Sequence, residues 1–339
     1  MRAIVYTQTG DPDVLTLVDR PLTEPGPGQV RVRMHRSGVN PTDWKSRRGR
    51  GPRDVDPPQV PGQDGAGVVD AVGPGVEAAL LGLRVWVWEA AYQRPEGTAQ
   101  EYALLPARQV GALPDWASFD LGASLGIPFL TAHRCLTVAE DGPQRLGPGT
   151  LSGRVVLVAG GAGAVGNAAI QLARWSDATV ISTVSSPHKA QLAAAAGADH
   201  VLDYHDQDVV AEARKIAPGG VHCVVEVAPG ANAAIDTAVL REHGSVAVYA
   251  GDGAAQITLP VRDQMTRNAR WQFVLVYTEP HEAKVRAVDD VAAAVLDGAI
   301  AVGPEHGLPQ HHFPLDDTAA AHAAVESSIV GKVLIDVAD

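Results

Sequence analysis

The sequence predicts an α/β protein in two parts, a partly open β-barrel-like domain and a doubly wound parallel sheet. Three observations predict it. Residues 1 to 124 are rich in Pro and Gly and hold short alternating segments such as "QVRVRMHRSGV", "GAGVVDAVG" and "LRVWVWEA", the pattern of an antiparallel barrel. From 125 to 269 apolar runs alternate with helical stretches, as in parallel βα units. Within that region "VVLVAGGAGAVGNAAIQLAR", residues 155 to 174, passes from a β-branched run through glycines into an Ala-rich helix.

In chain order, strands are expected at 154–160, 178–185, 200–204, 221–228 and 244–251, with helices at 164–176, 187–196, 207–217 and 230–242. "WQFVLVY", 271 to 277, is expected to complete the sheet. A last helix from Asp316 to Ser327, then Gly331 and the strand "KVLIDVA", return the chain to its first domain. The expected division is therefore 1–124 with 270–339, and 125–269.

The glycine turn is the first functional signal. Gly161, Gly163 and Gly166 stand in G-x-G-x-x-G register, which allows a tight turn and close approach of backbone to a ligand. The helix that follows presents unpaired N–H groups and a positive dipole end, a place for a pyrophosphate. The contacts expected there are Gly161, Ala162, Gly163, Ala164 and Val165. A cofactor with a free ribose 2'-hydroxyl usually meets a carboxylate at the end of the next strand. This chain has Ser185, Ser186 and Lys189 there. Two hydroxyls and an ammonium suit a 2'-phosphate, so NADPH is expected rather than NADH.

A chain of 339 residues with 46% hydrophobic content is long enough for two cores, and a net charge of -12 argues against nucleic acid or an anionic membrane as partner. No apolar run approaches the roughly 20 residues needed to span a bilayer. "MRAIVYTQTG" lacks the apolar stretch of a signal peptide, so cytoplasm is the expected location. Cys135 and Cys223 are expected as packed, reduced thiols. The basic run "KSRRGRGPR", 45 to 53, is expected as a solvated loop, and His311 and His312 likewise.

Together the motifs "GVNPTDWKSRRG" (38 to 49), "VPGQDGAGVVDAVG" (60 to 73), "GTAQEY" (97 to 102), "LGIPFLTAHRCL" (125 to 136), "GGAGAVGNAAIQLAR" (160 to 174) and "GADHVLDY" (197 to 204) resemble the medium-chain dehydrogenase/reductase family. The branch they resemble is the zinc-independent, zeta-crystallin-like quinone oxidoreductases. The resemblance implies a GroES-like catalytic domain and a Rossmann NADPH-binding domain. Zinc-dependent relatives place a catalytic Cys where this chain has Asn40, and a His-Glu pair where it has Gln63 and Asp64. They also carry a four-cysteine structural site, for which two cysteines do not suffice. No metal is expected.

Without a Lewis acid, hydride transfer suits an acceptor that needs little polarisation, such as a quinone or an α,β-unsaturated carbonyl. By resemblance, Asn40 and Thr131 are the catalytic candidates, lining the nicotinamide and acceptor pocket, with Asn40 a donor to the developing oxyanion. Tyr204 matches the position beside the adenine. Val227, Ala228, Tyr249 and Gly251 stand at the strand ends where the nicotinamide ribose is expected. Phe273, Val274 and Lys332 are placed near the cofactor by the same resemblance, and a homodimer through the edge strand is implied. Asp43 is expected to hold its loop through a salt bridge to Arg47.

One departure stands out. Enoyl-thioester reductases of the superfamily carry a Tyr after the "NP-x-D" element, and this chain has none between Asn40 and Tyr92. Quinone or enone reduction is therefore favoured. A dedicated enoyl reductase or tailoring enzyme of a biosynthetic pathway is the alternative, and a cofactor-binding structural protein the third reading.

Overall fold

The computed structural model describes residues 1–251, 253–254 and 256–338. In chain order the elements are β1 (Arg2–Gln8), β2 (Thr16–Asp19), β3 (Gln29–Val39), α1 (Pro41–Arg48), β4 (Asp54–Gln59), β5 (Asp64–Val72), β6 (Arg84–Val87), β7 (Tyr102–Pro106), β8 (Val110–Ala112) and α2 (Phe119–Leu136). Then come β9 (Val155–Ala159), α3 (Ala164–Trp175), β10 (Thr179–Val184), α4 (Pro187–Ala195), β11 (His200–Asp203), α5 (Val209–Ile216), β12 (Val221–Glu226), α6 (Pro229–Val239) and β13 (Leu240–Val248). The chain ends with α7 (Val261–Arg267), β14 (Arg270–Phe273), α8 (His281–Leu296), β15 (Gln310–Pro314), α9 (Thr318–Glu326) and β16 (Lys332–Asp336).

Two compact units result: Met1–Ile127 together with the chain from Gln310 onward, and Pro128–Pro309. The return to the first unit thus comes at Gln310, not at 270. The reason is hydrogen bonding: Arg270–Phe273 pairs in parallel with Ser245–Val248, so β14 belongs to the second sheet.

In the first unit, among the described residues, β15-β16-β3-β5-β6-β8 form one sheet with β7 also on β3, and β2-β1-β4 form a second. The long β3 alternates: Val30, Val32 and Met34 are fully buried and pack with Val69, Val85, Val87 and Leu105 in one apolar core, as period-2 patterning requires. His311 and His312 lie in β15 rather than in a loop, in register with Val333 and Leu334. The basic run is not a solvated loop at its start. Lys45, Arg47 and Arg48 belong to α1, and Arg47 is fully buried against Glu326 at 2.7 Å.

The second unit is a parallel sheet in the order β11-β10-β9-β12-β13-β14, the doubly wound order with its reversal beside β9. Leu157, Ile181, Val224 and Val246 are buried in its core, because a sheet covered on both faces needs apolar side chains on both. Its strands and helices agree with the expected ones to within a few residues, and the edge strand ends at Phe273, earlier than expected.

Candidate active site

In the second unit the glycine turn joins β9 to α3. Gly163 is the N-cap of α3, and no side chain caps the helix, so its first-turn N–H groups stay open to a ligand. Glycine is required by close approach: a Cβ at Gly161 would run into Ser182 Oγ, and one at Gly166 into Gly160 O. Both place α3 directly against the sheet.

One strand over, Ser186 caps α4 and accepts from the Lys189 N–H at 3.3 Å. The Lys189 ammonium donates to Ser185 Oγ at 2.9 Å. The three residues expected at a 2'-phosphate are therefore one cluster, made by a strand end and a helix start four positions apart. Tyr204 lies at the end of the neighbouring β11, half exposed, its ring 4.7 Å from that of His205. An exposed ring face is free to stack on a base.

At the ends of β13 and β14 a cavity of about 630 Å3 is lined by Tyr249, Gly251, Phe273 and Val274, with Pro229 and Thr278. Four of the expected residues thus share one hollow. Phe273 is 61% exposed and Val274 5%, so Phe273 offers its ring outward while Val274 packs beneath.

Under this edge lies a pair that sequence reasoning missed. Glu226, the last residue of β12, accepts from the Ala228 N–H and from the Asn232 amide at 3.1 Å, and it contacts the Asp236 carboxyl. Both carboxyls are buried. Burial, together with the neighbouring Glu226, pushes Asp236 up to about 9, and burial pushes Glu226 up. The two hold a shared proton at neutral pH, and the pair anchors the Val227–Ala228 turn. A lone carboxylate ending the apolar run "VHCVVE" was the available signal.

Thr131 stands in α2 just past Pro128, 6% exposed. Cys135, one turn further, and Cys223 are both free and buried, as expected. The Cys223 thiol donates to Cys135 O at 3.5 Å.

In the first unit Asn40 is the N-cap of α1, before Pro41. Asp43 is not paired with Arg47. Its carboxylate accepts from the Asn40 N–H at 2.7 Å, closing the turn as capping acids do, while Arg47 is taken by Glu326. Burial pushes the Asp43 carboxyl up to about 7.

The Asn40 side chain is fixed from both ends. Its Oδ1 accepts from the Lys332 ammonium at 2.8 Å, and its Nδ2 donates to Asp64 Oδ2 at 2.6 Å. Lys332 and Asp64 are 3.4 Å apart and essentially unexposed. Asp64 Oδ1 takes the Ile127 N–H at 2.8 Å, where a Cβ on Gly126 would collide with it. Burial pushes the Asp64 carboxyl up and the Lys332 ammonium down, and their attraction opposes both shifts. Lys332 was placed near the cofactor on resemblance; its ammonium faces Asn40 and Asp64. Among the described residues no group of three or more His, Cys, Asp or Glu side chains is arranged to hold a metal.

A GroES-like antiparallel unit followed by a doubly wound dinucleotide-type sheet defines the class of medium-chain dehydrogenases and reductases. Two family models match: the alcohol dehydrogenase GroES-like domain over 26–115 and the zinc-binding dehydrogenase over 164–293. The chain is 33% identical over 305 residues to the rat synaptic vesicle membrane protein VAT-1 homolog, 88% of this chain and 71% of that protein. It is 30% identical to the rat quinone oxidoreductase over 99% of this chain and 97% of that one. A mycobacterial protein solved with NADPH superposes with a TM-score of 0.80 at 30% identity, covering 99% of each chain. An NAD-dependent alcohol dehydrogenase superposes at 0.85 with 29% identity over 100% of each. The chain belongs to the medium-chain dehydrogenase/reductase superfamily, in its quinone oxidoreductase branch.

Proposed function

We propose that this protein is an NADPH-dependent reductase of quinones or α,β-unsaturated carbonyls that works without zinc. The observation that carries the cofactor is the joint Ser185, Ser186 and Lys189 cluster beside the uncapped start of α3. A pyrophosphate fits the open N–H groups, and a 2'-phosphate fits two hydroxyls and an ammonium. The quinone oxidoreductase names among its relatives and the NADPH-bound mycobacterial neighbour support the same reading. When bound, NADPH supplies a hydride.

The chain's own residues have simpler tasks. The glycine turn and α3 hold the pyrophosphate, Tyr204 stacks on the base, and the cavity walls at Tyr249, Gly251, Phe273 and Val274 seat the nicotinamide ribose side. Asn40 spends one amide N–H on Asp64 and keeps a second, which is the donor to an oxygen that gains negative charge. The Thr131 hydroxyl, in α2, is the other catalytic candidate that the resemblance supplies. Lys332 is a positioning residue for Asn40. Its ammonium also supports metal-free chemistry, since a divalent cation at Asn40 and Asp64 would meet a positive charge already in place. No helix among the described residues is long and apolar enough to cross a membrane. The half-paired β14 and the exposed Phe273, Leu275 and Met265 favour pairing of two copies there, to be checked by light scattering.

The deciding experiment follows oxidation of NADPH and of NADH against quinones, free enones and enoyl thioesters. Turnover of quinones or free enones with NADPH is the expected result. A preference for one thioester would replace this function with that of a pathway-dedicated enoyl reductase.

A further inference from the structure

A second cavity, of about 370 Å3, is lined by Arg134, Thr137, Glu140, Arg270 and Arg286, with the His133 ring at its wall. It lies at the other edge of the parallel sheet from the glycine turn. Arg270 is in register with Ser245, Ser245 with Cys223, and Cys223 with Val156, so Arg270 is level with the start of β9. Five residues along β9 and three strands across put Gly161 roughly 20 Å away. Whatever fills this cavity is not the dinucleotide at α3.

Its electrostatics are unusual for a chain of net charge -12. Three arginines and one acidic residue are among the residues that line it. Arg134 is held by Glu279 at 2.9 Å. Arg270 meets Glu140 at 2.8 Å, but the Glu140 side chain is 85% exposed, and such a pair is a weak tether. Arg286 makes no ion pair among the described residues. The nearby Asp290 is already engaged by His133 at 2.8 Å, Arg145 at 2.6 Å and the Leu146 N–H at 2.7 Å, and Asp141 by Arg154 at 3.3 Å. Neither is free to neutralise the cavity.

We infer that this cavity binds a phosphoryl group carried by a small molecule other than the dinucleotide. Arginine forks match the oxygen geometry of phosphate, which a lone ammonium does not. The volume falls in the range of small-molecule pockets, so the phosphoryl group brings the rest of its molecule with it. The incoming anion displaces Glu140 from Arg270, making Glu140 its competitor.

Inorganic pyrophosphate is the probe, titrated calorimetrically into the full chain at constant ionic strength. Saturable binding is expected. It should weaken at least tenfold in Arg270→Gln/Arg286→Gln, strengthen several-fold in Glu140→Gln, and persist when the titration is repeated at saturating NADPH, which fills both the α3 turn and the Ser185 to Lys189 cluster. Arg50→Gln/Arg53→Gln, two exposed cations of the other unit, removes the same net charge and should leave it unchanged. Absence of saturable binding overturns the site. So does loss at saturating NADPH with retention in the Arg270 and Arg286 variant, which assigns the anion to the cofactor end, and so does an equal loss in the Arg50 and Arg53 control, which reduces it to net charge.

Discussion

Lys332 and Asn40, 292 positions apart, share a hydrogen bond of 2.8 Å in the interior of the first unit. The same ammonium faces Asp64 at 3.4 Å, so one buried cation orients the amide and offsets a buried carboxylate. Removing it leaves the buried Asp64 carboxylate without its compensating cation, which costs on the order of 3 to 5 kcal/mol. Lys332→Met is expected to lower the urea midpoint accordingly, and Lys332→Met/Asp64→Leu to regain a good part of the loss. A fully additive double variant would count against the pairing.

The Lys189 ammonium and its two serines are expected to discriminate between cofactors. Lys189→Ala should weaken NADPH about 10- to 100-fold, the worth of a charge-assisted phosphate contact, and leave NADH unchanged. Fluorescence titration with each nucleotide measures both constants. Parallel weakening of the two would move the 2'-phosphate elsewhere.

What was legible in the sequence follows the distance over which each feature is made. The Gly161, Gly163 and Gly166 turn and the Ser185 to Lys189 cluster are local, so residue types and spacing disclosed them. The partnership of Asn40 with Lys332 was hidden because β16 meets β3 only after the intervening sheet has been completed. Asp43 was misassigned for a related reason. Arg47 is its neighbour in sequence, but the capping geometry turns the carboxylate back to the Asn40 N–H, and Arg47 turns toward α9. The boundary at Gln310 was misplaced because the strand at 270 carries no marker of which sheet will pair with it.

Gly166 tests whether the close packing at the turn is needed. A Cβ there would collide with the carbonyl of Gly160, backbone that cannot rotate aside, so Gly166→Ala should cost about 1 to 3 kcal/mol as overpacking does. Cofactor affinity should fall with it, because the same shift moves the start of α3. Unchanged thermal stability together with unchanged NADPH affinity would show that the turn has slack.

The Glu226 and Asp236 pair sets a pH dependence of stability with a definite sign. Asp236 holds its proton up to about 9 in the folded chain, against about 3.9 when unfolded. Between those values the folded state carries the extra proton, so stability falls as pH rises, by up to about 1.4 kcal/mol per pH unit. Asp43, pushed up to about 7, falls in the same direction, but its contribution ends near neutrality. Asp236→Asn keeps a side-chain hydrogen bond to Glu226 and removes the shared proton. The difference in unfolding free energy between wild type and this variant should therefore keep changing between pH 7 and 9, while the Asp43 slope between pH 4 and 7 survives in both proteins. Denaturant unfolding across that range measures it, and a difference that stays flat from pH 7 to 9 would mean that Asp236 is already ionised at neutrality and that the turn at Val227 and Ala228 is held without a shared proton.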